Sequence, residues 1–120
     1  MSTRKFAPKE PVQLNPPRSD PFTTEQLSKF DGIQDPRIYV AIKGTIFDVS
    51  RNKEKYGKGQ GYSLFVARDA SIALAKSSLD TSIYNQGLTL ADLSEKELKT
   101  LEDWYSFFIQ RYNIVGKLVD

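Results

Sequence analysis

The chain has 120 residues, with 17 Lys and Arg against 15 Asp and Glu for a net charge of +2, and it holds no histidine, no cysteine and a single methionine, Met1. That excludes thiolate chemistry, zinc ribbons and iron–sulfur clusters, removes the usual general base and metal ligand near neutral pH, and leaves Asp, Glu, Lys, Tyr and Arg for any catalysis. The length suits one domain with a real core, the small net charge makes no case for nucleic acid, and no apolar run is long enough to cross a bilayer, so the chain reads as soluble and intracellular.

Five of the six prolines fall among the first 21 residues. Residues 1–21 therefore read as an extended or disordered tail that folding can do without, although Phe6, Val12 and Leu14 could lie in a surface groove. The domain is expected over 22–120. "TTEQLSKFDG" offers Thr24 as the N-cap of a short helix stopped at Asp31-Gly32. "IYVAIKGTIFDVS" predicts a hairpin: Ile38, Val40 and Ile42 share one buried face, Lys43-Gly44 make the turn, and Thr45–Val49 return. "RNKEKYGKGQGYSLF" is too glycine-rich and too charged for a regular state before Ser63. A helix is expected from Arg68 through "RDASIALAKSSL", with Asp69 in its first turn, where the dipole favours an acid. Ser94 and Glu97 form a capping box, and Leu98, Leu101, Tyr105, Phe108 and Tyr112 follow at helical spacing. Asn113 ends that helix, and "IVGKLV" closes the chain as a strand. The sum is an α+β domain, a small sheet with helices on one side. Trp104 reads as core.

The irregular stretch is the chemically unusual one. Arg51, Lys53, Lys55, Lys58 and Arg68 stand there against Glu54 alone, a local +4, whereas Asp92–Asp103 carries a local −3. "YGKGQGY" places Tyr56 and Tyr62 at the two ends of a glycine-rich loop. It lacks the GK[ST] ending of a phosphate loop and the glycine spacing of a dinucleotide fingerprint. Two readings remain. The plainer one, ahead on residue chemistry alone, makes the glycines a turn and the tyrosines a cap on the core edge. The other makes a tyrosine the ligand of ferric iron. A phenol with a pKa near 10 must lose its proton to the metal, nearby cations help it do so, and glycines let backbone approach a flat macrocycle.

"DPRIYVAIKGTIFDVS", "YGKGQGYSLFVARDAS" and "DWYSFFIQRYNIVGKL", in that order, resemble the membrane-associated progesterone receptor family, a branch of the cytochrome b5-like fold. The likeness spans Phe22 to Leu118. It implies a cytochrome b5-like fold, a small mixed sheet with helices forming a haem pocket, and haem b as cofactor. Ordinary cytochrome b5 domains hold haem with two histidines, which this chain lacks. Carried over position by position, Tyr62 matches the family's axial iron ligand and Tyr56 the tyrosine that supports the pocket by hydrogen bonding. Asp69 falls on the aspartate of the "RDAS" motif, and Arg111 and Tyr112 match a Lys-Tyr pair beside the haem. Two departures stand out: Lys58 and Gly61 occupy positions that often hold proline, and Arg111 replaces lysine with a planar fork. Most named members also carry an N-terminal membrane helix, absent from residues 1–21.

The implied function is that of a non-enzymatic haem-binding adaptor or regulator of haem-thiolate monooxygenases in sterol metabolism. The place implied is cytoplasmic, peripheral to the endoplasmic reticulum membrane. Sterol as a further ligand and a haem-mediated dimer are within what the family implies. The rivals are a steroid or lipid carrier without haem and a pure interaction module.

Overall fold

Lys43 and Gly44 both lie at positive φ, 54° and 79°, the geometry of a two-residue turn whose twist matches that of the strands it joins. Around it β2 (Tyr39–Ile42) and β3 (Thr45–Asp48) pair as the expected hairpin, in the register Tyr39 with Asp48 and Ile42 with Thr45. This is a computed structural model, and it describes residues 14–119. The first 13 residues, with Phe6 and Val12 of the expected tail, lie outside the described residues.

The sheet has four strands in the order β1-β4-β3-β2, with β1 at Pro21–Phe22 and β4 at Asn113–Leu118. β4 runs antiparallel to β3, with a bulge between Ile46 and Phe47, and parallel to β1. The pairing crosses the tail boundary read at residue 21. Lys117 N–H donates to Asp20 O at 2.8 Å, Arg18 N–H to Ile114 O at 3.0 Å, and Asn15 N–H to Asn113 Oδ1 at 2.8 Å. The described part of the tail is extended, as its prolines require, and it lies along β4.

Every residue of β2 is buried, not only the expected face. Val40 and Ile42 pack with Phe47, Leu101 and Phe108 in the main core, while Tyr39 and Ala41 pack with Leu27, Ile46 and Val115 on the other side. That second face is covered by α1 (Thr24–Leu27) and a small aromatic group. Phe30 stacks on Tyr39 at 4.4 Å, and Phe22 meets both rings edge-on. The helices therefore do not all lie on one side. The cap of α1 is Thr23, one residue earlier than expected, because Thr23 Oγ1 accepts from Gln26 N–H while the Gln26 side chain returns to Thr23 N–H.

On the main-core side, α3 (Ser71–Ala75) is shorter than the sequence suggests and ends into Ser77, a left-handed residue at φ 52°. α4 (Glu95–Ile109) carries the expected Ser94–Glu97 capping box, and Lys76 reaches Glu97 at 3.0 Å. It buries Leu101 and Phe108, but Leu98 is 40% exposed and so is not part of the buried stripe. The helix stops at Ile109, before Tyr112, and Asn113 opens β4 instead of ending α4. Among the described residues no helix is long and apolar enough to cross a membrane.

Candidate functional site

The stretch expected to be irregular begins with one ordered turn of helix, α2 (Lys53–Tyr56), preceded by a tight turn over Ser50–Asn52. Gly57 then folds back on that helix, its N–H bonded to Lys53 O at 2.9 Å. A β-carbon at Gly57 would meet the same carbonyl at 2.7 Å, so the turn needs glycine. Gly59 follows at φ 78°, a conformation glycine adopts without steric cost. The loop is closed by Tyr62 N–H donating to Lys55 O at 2.9 Å. That closure sets the rings of Tyr56 and Tyr62 5.7 Å apart.

The two tyrosines differ in environment. Tyr56 is 2% exposed and Tyr62 is half-buried. Burial, then the neighbouring Tyr112 and Tyr62, push the Tyr56 phenol well above its ordinary value, so it stays neutral. A neutral buried phenol is a hydrogen-bonding group, not an anion. Of the pair, only Tyr62 is open to solvent.

The wall facing them comes from the end of α4 and the residues after it. Trp104 meets the Tyr62 ring edge-on at 6.4 Å, and the Arg111 guanidinium lies 4.0 Å over the Phe107 ring. Tyr112 is buried, its ring 5.0 Å from Phe108 and perpendicular to Tyr56 at 6.4 Å. Asn52 Nδ2 donates to Tyr112 Oη at 2.9 Å. Arg51 donates to Arg111 O and lies over the Tyr112 ring at 5.9 Å. Together Asn52, Lys55, Tyr56, Tyr62, Trp104, Phe107, Arg111 and Tyr112 line a cleft of about 300 Å³, at the lower end of the range for small-molecule sites. A second hollow of about 200 Å³ shares Tyr62 and Trp104 and is walled by Phe65, Leu74 and Leu79.

Four of the expected site residues, Tyr56, Tyr62, Arg111 and Tyr112, thus meet in one cleft. Asp69 does not join them. Its carboxylate accepts from Ser71 N–H at 2.9 Å and Gly44 N–H at 3.1 Å, tying the hairpin turn to α3. It lies before the helix instead of in its first turn, and lines a separate cavity of about 600 Å³ with Lys43, Ile72, Tyr84 and Leu90. Three cleft residues, Asn52, Trp104 and Phe107, went unread as site residues in the sequence, and Lys55 entered only as one charge of the basic patch. Trp104 and Phe107 are three apart on α4, and Arg111 follows four further on, just past its end. That spacing turns all three the same way, a signal hidden behind the apolar stripe. Asn52 carries no such signal.

Among the described residues no group of three His, Cys, Asp or Glu side chains could hold a metal ion. One phenol oxygen, flat aromatic walls and two cations at the rim do not suit a bare ion. They suit a planar macrocycle that brings its own ring donors and carries carboxylates.

The chain has clear relatives among known proteins. A family model described as Cytochrome b5-like Heme/Steroid binding domain matches residues 23–118. Probable steroid-binding protein 3 of Arabidopsis thaliana is 46% identical over 99 residues, 82% of this chain and 97% of that protein. Membrane-associated progesterone receptor component 2 of Homo sapiens is 35% identical over 99 residues, and the chain spans 44% of its length. Cytochrome P450 regulator dap1 of Schizosaccharomyces pombe is 34% identical over 119 residues, covering 95% of this chain and 70% of that protein. A solved Arabidopsis thaliana protein with a cytochrome b5 like fold is 44% identical with a TM-score of 0.73, over 85% of this chain and 93% of the other.

Proposed function

The chain belongs to the cytochrome b5-like haem/steroid-binding domain family, and from that premise we propose that it binds haem b through the Tyr62 oxygen. The observation that carries this is the division of labour in the tyrosine pair: Tyr56 is buried and held neutral, while Tyr62 faces an aromatic cleft. Haem bound there would supply iron already held by its own ring donors, and the chain would contribute an oxygen donor. Tyr62 would provide that oxygen, and Tyr56, hydrogen-bonded to Tyr112, would support the pocket beside it. Trp104 and Phe107 would supply the apolar contacts of the haem, and Lys55 and Arg111 would attract its carboxylates.

The role that follows is binding and regulation, not catalysis. An anionic oxygen ligand favours ferric iron and makes the site a poor electron shuttle. The resemblance to a protein named as a cytochrome P450 regulator supports an adaptor for haem-thiolate monooxygenases, working from the cytoplasm at the endoplasmic reticulum surface. A second reading, a steroid carrier, is favoured by the separate cavity beside Asp69, whose walls include Ile72, Ile83, Leu88, Leu90 and Leu118.

The test is an absorption spectrum of protein from haem-replete cells, followed by haemin titration of wild type, Tyr62→Phe and Tyr56→Phe. Tyr62→Phe keeps the ring and deletes the oxygen, so affinity should fall by more than tenfold and the charge-transfer bands of tyrosinate-bound ferric iron should vanish. Tyr56→Phe should weaken binding less. Unchanged binding and spectrum in Tyr62→Phe would remove the haem reading from this cleft and bring the carrier forward.

A further inference from the structure

Asn52 occupies the position before α2 where asparagine ordinarily accepts a backbone N–H of the first turn, yet it makes no such bond. Its amide is turned instead to Tyr112, 60 residues further along the chain, where Nδ2 donates to Oη at 2.9 Å. The rest of Tyr112 has little freedom, with its ring packed on Phe108 and Arg51 over its face. The Tyr112 oxygen is also the hydrogen-bonding partner of the Tyr56 phenol, which keeps its own proton, so what Asn52 helps to set is the direction of the Tyr112 hydroxyl hydrogen. A phenol oxygen that accepts a hydrogen from one side cannot aim its own hydrogen back at the same donor.

We propose that Asn52 is a positioning residue for the Tyr62 cleft: by donating to Tyr112 Oη it turns the Tyr112 hydroxyl hydrogen away from itself and into the cleft that both residues line. There the hydroxyl is a donor toward negative charge, whether the Tyr62 phenolate or a carboxylate of a bound macrocycle. The proposal rests on the haem reading above and adds a residue to it. A donor held in place before binding costs no reorganisation when negative charge arrives.

Asn52→Asp is the decisive variant, because an ionised carboxylate of the same shape accepts only. It keeps a hydrogen bond to Tyr112 but reverses its direction, capturing the hydroxyl hydrogen. The melting temperature of the apo variant should therefore stay within a few degrees of wild type, while haemin affinity falls about tenfold. The added charge is controlled for by repeating the substitution in a Tyr112→Phe background, where no hydroxyl remains to be turned and the fall should be clearly smaller. Asn52→Ala, which frees the hydroxyl to rotate, should show a loss smaller than that of Asn52→Asp and likewise diminished by Tyr112→Phe. Equal losses in the two backgrounds, or wild-type affinity in Asn52→Asp, would overturn the proposal. If wild type itself binds no haemin, the haem reading falls, and this role with it; the wild-type titration alone separates that outcome from the others.

Discussion

The ring of Phe22 lies directly on Gly116, so close that a β-carbon there would overlap Phe22 Cε1 and sit 2.7 Å from the backbone oxygen of Asp20. Glycine at this point in β4 is what admits β1 to the sheet edge. It also lets Phe22 reach Phe30 and Tyr39 over the second core face.

Gly116→Ala should accordingly push β1 off the sheet. Overpacking of this kind costs about 1–3 kcal/mol, and the carbonyl of Asp20 cannot rotate away as a side chain could. Hydrogen exchange should report it locally, since Lys117 N–H donates to Asp20 O and Val119 N–H to Phe22 O. Both amides should exchange much faster in the variant, with β2 and β3 unaffected. Protection unchanged at Lys117 and Val119 would show that β1 stays in place.

Truncation should separate the two parts of the N-terminal segment. Removal of residues 1–20 takes away the bonds of Asn15, Arg18 and Asp20 to β4. The melting temperature should drop by several degrees, at about 4–8 °C per kcal/mol for a domain of this size. Removal of residues 1–13 leaves all three bonds in place and should shift it much less. Equal melting of the two truncations would mean that the pairing contributes nothing to stability.

Alkaline stability should carry the signature of Tyr56. Its folded phenol titrates above the ordinary value, which burial causes first. An unfolded tyrosine releases its proton at about pH 10, whereas the folded one holds it. The contribution is thus fully present below that pH and is lost as pH rises toward the folded value, with a slope of at most about 1.4 kcal/mol per pH unit. Tyr56→Phe should lose less stability between pH 9 and pH 11 than wild type, about one pH unit either side of the free phenol. Tyr39 and Tyr84, also pushed up by burial, remain in both proteins and cancel in the comparison. Parallel curves would deny Tyr56 its buried neutral state.

At the other end of the pH scale, α4 depends on its cap. Glu97 titrates below the usual carboxylate range, held there by the Ser94 backbone N–H and by Lys76. A depressed value means stability present above the unfolded value of about 4.3 and lost as pH falls through the folded one. Glu97→Gln should therefore narrow the gap in melting temperature between pH 6 and pH 3, about two units above and one below that value. Ser94→Ala should cost about 1 kcal/mol at neutral pH. An undiminished pH gap in Glu97→Gln would place the acid sensitivity elsewhere.

The features legible in the sequence were those set by neighbours in the chain. The Lys43-Gly44 turn, the alternation around Val40 and Ile42, and the Ser94–Glu97 box all depend on residues within a few positions, and each appears as read. The second buried face was not legible, because Tyr39 and Ala41 are covered by Phe22, Leu27 and Phe30 from an earlier part of the chain. The same limit applies to the site. Tyr56 and Tyr62 were found through their loop, whereas Asn52 meets Tyr112 across 60 residues without any periodic trace. Asp69 stands apart from the tyrosine cleft for a related reason. Its motif marks the approach to a helix, but its two oxygens are taken by backbone amides of Gly44 and Ser71.

The parallel pairing of β1 with β4 has a practical corollary for anyone attaching something to this domain. Going upstream from Phe22, beside Leu118, the chain passes Ile114 and arrives at Asn113, next in sequence to the Tyr112 that lines the cleft. Val119 departs from the opposite end of the same strand pair. A fluorophore, tether or fused protein joined near Leu14 would leave from the Asn113 end of β4, the end that continues from the cleft residue Tyr112. Joined after Val119, it would leave from the opposite end of the strand, so immobilisation for binding measurements belongs at the C-terminal side.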